Sequence, residues 1–404
     1  LTGNAMWADT TQRAHPPELA DNPLPADIAA LARLFPVLRS VPQIRDLDDT
    51  HFHGTDPVQV RRHAADALAE LLTRVAAGRP LVLVLDNLQW ADLDSVQLLE
   101  SVLLRPQPPP LALLCSFHEG ADTTRPPLMR LLAKLRAANH VQMHALAIGP
   151  FSDDQASALA AHHLGLEPAD PLPQRIAREA QGSPFFIGEL ARFARARGGL
   201  GESIANLNLD EVIRLRLQAL PPAARRLVEI LAIAGGRLPR AVALKVVAAT
   251  AGAVDRGTLA RLRAEHLLRA DASDDDNLET FHDRIRSTAA NDAHASDPAG
   301  LRDAHRIIAE ALLVAGDADK ATLAHHFRAA HDTARATHFT LLAAEEAAAQ
   351  LAFERAAELL AALLELGGLG PREATRVRIQ LAESLANSGQ HQDTGAKMVH
   401  AADD

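Results

Sequence analysis

The stretch from Arg79 to Leu99, RPLVLVLDNLQWADLDSVQLL, constrains the fold more than any other part of this 404-residue chain. Five apolar residues, Leu81 to Leu85, stand between Pro80 and the carboxylate of Asp86. A short unbroken aliphatic run of this kind reads as a strand buried on both faces of a parallel sheet. Asp86 then emerges at the strand's carboxyl end, the edge at which open α/β sheets bind ligands. A carboxylate there is placed to hold a magnesium ion beside the phosphates of a nucleotide. On pattern alone, a strand that merely ends in an acid fits equally well.

The residues after the strand narrow the choice. Asn87-Leu88-Gln89-Trp90-Ala91-Asp92 resembles the "LDDLQWAD" signature, containing the Walker B acid, of the signal-transducing P-loop ATPases called STAND. These are relatives of the AAA ATPases found in large LuxR-type regulators, multidomain Ser/Thr kinases and adenylate cyclases. A second stretch, "GSPFFIGEL" from Gly182 to Leu190, is similar to that family's "GNPFFLEEL". The resemblance implies a partial α/β P-loop NTPase core with a mostly parallel sheet over residues 1–150 and an all-α lid over 151–200. A winged-helix domain over 201–295 and TPR-like helical repeats over 296–404 complete the implied order. It implies ATP and Mg2+ as cofactors, with Asp86 as the magnesium ligand and Gly182 and Pro184 against the nucleotide.

The same comparison marks three departures. Asn87 stands where the family carries a second catalytic acid that orients or deprotonates the attacking water, and an amide cannot take that proton. His118 stands where the family carries an arginine that senses the γ-phosphate; imidazole lacks that residue's permanent charge and fork of donors. No Gly-x-x-x-x-Gly-Lys-Ser/Thr run occurs in the sequence. Without its backbone donors and lysine, triphosphate binding is expected to be very weak. Family order places that loop before Leu1, so the expectation is a fragment of a longer protein.

Local signals set out the remaining elements. The N-terminal part carries Pro16, Pro17, Pro23, Pro25, Pro36 and Pro42, with one short helix expected from Asp27 to Phe35. Asp56 as N-cap, Pro57 at the first helical position and Gly78 as stop define a long helix, with Leu68, Leu71, Leu72 and Val75 on its inner face. Asp92 caps the helix after the first strand, and capping is its favoured role over ligand binding. Leu111 to Ser116 reads as a second strand, with Cys115 a small core residue, and Val141 to Leu146 as a third. Ser152 and Gln155 form a capping-box pair opening a helix to His163, and a further helix spans Leu172 to Ala180. Gly182-Ser183-Pro184 also fits a plain helix stop followed by a proline-led start.

Beyond the linker Gly198–Gly201, four helices are expected between Asp210 and Glu265. Two extended pieces follow, His266–Ala270 and Leu278–His282, around the acidic turn Asp271–Asp276. Helices closed by a hairpin describe a winged helix. Arg256, Arg261 and Arg263 supply a basic helix, but Asp274 to Asp276 repel phosphates, which favours a clamp on the ATPase over direct DNA contact. From Leu301 onward the chain is Ala/Leu-rich. Ala347, Ala352 and Ala356 allow close helix approach, while Leu351, Phe353, Leu359 and Leu360 supply bulk. Protein partners are expected on these repeats, together with nucleotide-dependent oligomerisation.

Composition excludes several other classes. The formal charge of −10 argues against general affinity for nucleic acid or an anionic membrane. A single cysteine rules out an internal disulfide framework and suits a cytoplasmic setting. No apolar run approaches the roughly 20 residues that span a bilayer. Among the 19 histidines, the adjacent pairs His162-His163 and His325-His326 point about 100° apart on a helix and do not converge on a metal. His140 and His144 share one side of the expected third strand but lie roughly 13 Å apart by strand rise, so no histidine metal site is expected. The reading that results is an ATP-binding regulatory switch module of a larger protein, with weak or absent hydrolysis. A catalytically dead interaction scaffold and a DNA-binding transcription regulator stand as alternatives.

Overall fold

The computed structural model describes residues 24–47, 56–117, 126–197, 209–269, 276–316 and 318–388. Pro16, Pro17, Pro23, His118, the Gly198–Gly201 linker and Asp271 to Asp275 lie outside the described residues. The chain divides into two compact units, residues 1–145 with 337–404, and residues 146–336.

The first unit opens with α1 (Ile28–Leu34), a 3-10 turn (Pro36–Ser40) and α2 (Pro42–Arg45). Helix α3 (Pro57–Gly78) starts as expected, the Asp56 carboxylate accepting from the Val58 amide at 3.1 Å. Its buried stripe differs from the expected one: Val60, Ala64, Ala65, Ala67 and Ala69 face inward, while Leu68 and Leu71 pack only partly. Val60 and Ala64 meet Ala29 and Ala30 of α1, so small side chains set this contact.

Strand β1 (Leu81–Leu85) is followed by a 3-10 turn (Leu88–Trp90), α4 (Leu93–Leu103), β2 (Leu111–Cys115) and α5 (Pro126–Ala137). β1 and β2 pair in parallel, from Leu81 opposite Leu111 to Leu85 opposite Cys115. Leu83, Leu85, Leu113 and Cys115 pack with Val96 of α4 and Leu128, Leu131 and Leu132 of α5. Burial on both faces does not hold among the described residues, whose helices clad one face only. Val82, Val84 and Leu114 on the other are 59%, 52% and 63% exposed. A continuous aliphatic run fixes the strand but does not say how many layers cover it. Val141 to Leu146 is not a strand either. Its backbone is irregular, and Val141 and Met143 pack partly on the same cluster without a ladder partner among the described residues.

The second unit begins with α6 (Asp153–Leu164), opened by the expected capping box: Gln155 N donates to Ser152 Oγ at 3.3 Å, and Ser152 N to Gln155 Oε1 at 3.1 Å. It packs with α7 (Pro171–Ala180) and α8 (Pro184–Arg197) around Ala156, Ala160, Ile176, Ile187 and Leu190. There follow α9 (Leu209–Gln218), α10 (Pro222–Ala234), β3 (Leu238–Pro239), α11 (Arg240–Ala251) and α12 (Arg256–Ala264). Then come β4 (Leu268–Arg269), β5 (Asn277–Thr280), α13 (Asp283–Ser296), α14 (Pro298–Ala315) and α15 (Lys320–Ala329). The strands form a small antiparallel sheet in the order β3-β5-β4. Leu227, Val228, Ile230 and Leu231 of α10 are fully buried. Each helix and extended piece expected between Asp210 and His282 is present, and β3 is an addition.

Helix α16 (Thr333–Ala349) carries the chain back to the first unit, which α17 (Phe353–Leu366) and α18 (Pro371–Asn387) complete. Leu351 and Phe353 join the cluster between α1 and α3, and Arg33 Nε donates to the Ala349 carbonyl at 2.9 Å.

Candidate functional site

β1 delivers Asp86 to the carboxyl edge of the parallel pair with its side chain exposed. The ladder runs one step past both strands: Ser116 N donates to the Leu85 carbonyl at 3.0 Å, and Leu88 N to the Ser116 carbonyl at 2.8 Å. That register sets Ser116 beside Asp86. Its hydroxyl donates to Asp86 Oδ1, which also accepts from Asn87 N at 3.1 Å. Sequence reasoning missed Ser116. The signal was its position, one residue past a strand whose pairing aligns it with the acid.

Asn87 has φ 56°, the left-handed region that Asn and Asp tolerate better than other side chains. Its Oδ1 accepts from Gln89 Nε2 at 3.1 Å, and its Nδ2 approaches Asp86 Oδ2 at 3.4 Å. Held this way, the amide orients its neighbours and has no basic atom for a proton. Asp92 acts as a cap, accepting from Ser95 N at 2.7 Å.

The residues at this edge suit the implied Mg2+ and the implied ATP unequally. Magnesium takes oxygen ligands and is commonly held by one or two carboxylates plus substrate phosphates and water. The exposed Asp86 carboxylate, fixed by Ser116 and Asn87, fits that description. Phosphates need a nest of backbone amides and a lysine, and no residues of the sequence form the Gly-Lys-Ser/Thr loop that supplies them. The metal end of the ligand fits the residues present; the phosphate end does not.

Gly182 and Pro184 belong to the second unit. Gly182 is buried with φ +73°, and its carbonyl accepts from Phe151 N at 2.9 Å. An added Cβ would collide with the Phe151 carbonyl oxygen and lie 2.8 Å from Pro150 Cβ, so close backbone approach alone requires glycine here. Pro184 is the exposed first residue of α8, and Phe185 beside it stacks on His282 at 3.9 Å.

Eight residues after Asp86, the chain makes a reciprocal cap missed at sequence level. Asp94 Oδ2 accepts from Glu354 N at 2.9 Å and Arg355 N at 3.3 Å, in the first turn of α17. In return, Glu354 Oε2 accepts from Leu93 N at 2.5 Å at the start of α4. Arg61 Nη1 closes the network on Asp94 Oδ1 at 2.7 Å. Burial pushes the Asp94 carboxyl up despite the opposing pull of Arg61. A separate cavity of about 400 Å³, lined by Arg33, Arg39, Glu346 and Gln350 among others, contains none of the candidate residues.

With this geometry in place, residues 7–114 match the model of a family described as an AAA ATPase domain. That stretch takes in β1, Asp86 and most of β2. In fold, the chain is similar to a Signal Transduction ATPase with Numerous Domains (STAND) protein with a tetratricopeptide repeat sensor from Pyrococcus horikoshii. That crystal structure aligns at 10% sequence identity with a TM-score of 0.49, covering 94% of this chain and 57% of the other. The chain thus spans little more than half the length of that protein. No curated protein matches the sequence.

Proposed function

We propose that this chain is the switch portion of a STAND-type signalling ATPase, contributing the Mg2+-holding carboxylate to a nucleotide site that hydrolyses ATP slowly or not at all. The observation that carries the reading is Asp86, presented at the carboxyl edge of a parallel strand pair and oriented by Ser116 and Asn87, inside the segment that matches an AAA ATPase domain. Asp86 would hold Mg2+, which would supply charge neutralisation to a bound polyphosphate. The chain's own residues orient the carboxylate and hold the turn after β1. Asn87 supports retention over turnover, because its amide takes no proton from water.

The domains from residue 151 onward are proposed as helical lid, winged-helix clamp and helical-repeat sensor, with Gly182 and Pro184 near the base, His118 near the γ-phosphate, and protein partners on the repeats. The reciprocal cap between α4 and α17 gives the nucleotide edge a direct tie to the helices that follow. Calorimetry of Mg2+ and ATP with the full natural protein tests this. Binding that requires Mg2+ and is lost in Asp86→Asn is expected; binding indifferent to both removes the proposal.

A further inference from the structure

Among the described residues, three histidines away from the candidate site come together: His305 on α14, with His325 and His326 on α15. Each offers a ring nitrogen within 4.8 Å of the others. His305 Nδ1 and His326 Nδ1 lie 2.8 Å apart, so two lone pairs face one another unless a proton or a cation joins them. His326 is fully buried, and its Nε2 has no hydrogen-bond partner. A histidine serving only as core packing is expected to have both ring nitrogens satisfied, since an orphaned buried polar atom is destabilising.

Neutral imidazole is the form that ligates metals. Burial pushes His305 down to about 4 and His326 down to about 3. Arg328, itself exposed, is the charge that opposes a cation here. His325 is exposed, which gives an ion a way in and leaves one side of the cluster facing water.

The adjacent pair does diverge, as helix geometry requires, but His305 reaches it from the neighbouring helix. The convergence is a tertiary fact spread over 21 residues of sequence. We propose that His305, His325 and His326 form a binding site for a divalent transition metal of the zinc class, with three imidazole ligands and a fourth position open to water. Three histidines with an open position match an established zinc donor set, and imidazole suits zinc, copper and nickel over the harder magnesium and calcium. The ligands come from both arms of the α14–α15 hairpin, so binding fastens that hairpin and stabilises the folded unit by mass action.

The test uses the whole protein, stripped with a chelator and titrated with zinc chloride. One zinc per chain, a rise in melting temperature, and visible absorption bands typical of tetrahedral sites on substitution with cobalt chloride are expected. His325→Ala, at an exposed position, should keep the fold, weaken zinc binding at least about tenfold and remove the cobalt bands. His326→Gln should do the same to binding. The double variant His162→Ala/His163→Ala, altering an adjacent pair outside the cluster, should bind as wild type. No zinc retained by the wild-type chain, unchanged affinity in His325→Ala, or equal loss in the His162/His163 variant would each overturn the assignment.

Discussion

Replacing Asp94 with alanine tests the reciprocal cap most directly. The substitution removes the acceptor for Arg61 Nη1 and for the Glu354 and Arg355 amides, at a position 8% exposed. Arg61, whose side chain is 13% exposed, is left as a poorly solvated, unpaired charge. Breaking a buried ion pair by deleting one partner typically destabilises by about 3–5 kcal/mol. Relief of the Asp94 desolvation offsets part of that, so the expected loss is about 3 kcal/mol, or roughly 10 °C in melting temperature for a unit of this size. Asp94→Asn keeps the shape and an acceptor for the helix amides but turns its NH2 toward Arg61, so it should recover only part of that loss.

The pH dependence has a definite sign. The folded-state pKa of Asp94 is raised above 3.8, so its contribution is fully present below that value and declines as pH rises through the folded pKa. The advantage of wild type over Asp94→Asn should therefore shrink as pH rises across that window. Thermal unfolding by circular dichroism supplies the stabilities, and hydrogen exchange at the Glu354 and Arg355 amides localises the effect. A loss below about 1 kcal/mol for Asp94→Ala, or equal losses for alanine and asparagine, would refute the reasoning.

Three further outcomes are expected. Gly182→Ala should destabilise by more than about 2 kcal/mol, whereas Gly165→Ala, at φ +69° with open space around it, should lose only about 1 kcal/mol; equal urea midpoints would show that the Phe151 approach does not matter. Ser116→Ala should leave the fold intact and weaken Mg2+-dependent nucleotide binding less than Asp86→Asn does, as calorimetry can compare; an equal loss would make Ser116 a ligand and not a positioning residue. The Thr258 hydroxyl and amide bonds hold the Asp255 carboxyl below its ordinary 3.8. The stability difference between wild type and Asp255→Asn should thus be steady above pH 3.8 and fade as pH falls through the lower folded value, as acid titrations of melting temperature can show.

What the sequence revealed and what it hid divide along a physical line. Caps and strands written in adjacent residues were legible: Asp56, Asp92, the Ser152–Gln155 box, and the aliphatic runs Leu81–Leu85 and Leu111–Cys115 all stand where expected. Features that need two distant segments were not. Ser116 beside Asp86 depends on strand register, Asp94 on the first turn of α17, and His305 on the packing of α14 against α15. The alternation in Val141 to Leu146 promised a strand, but pairing needs a partner that periodicity does not reveal. Likewise, apolar character at Val82 and Val84 says nothing of whether a covering layer lies above them.

The left-handed bend at Asn87 bears on how readily this position can change its chemistry. Aspartate adopts the same backbone conformation with little strain, so Asn87→Asp leaves the turn its shape while placing a proton acceptor next to Asp86. A single nucleotide change in an asparagine codon suffices for that exchange. The lineage carrying this loop therefore stands one mutational step from a second acid, and the scaffold that would present it is already built.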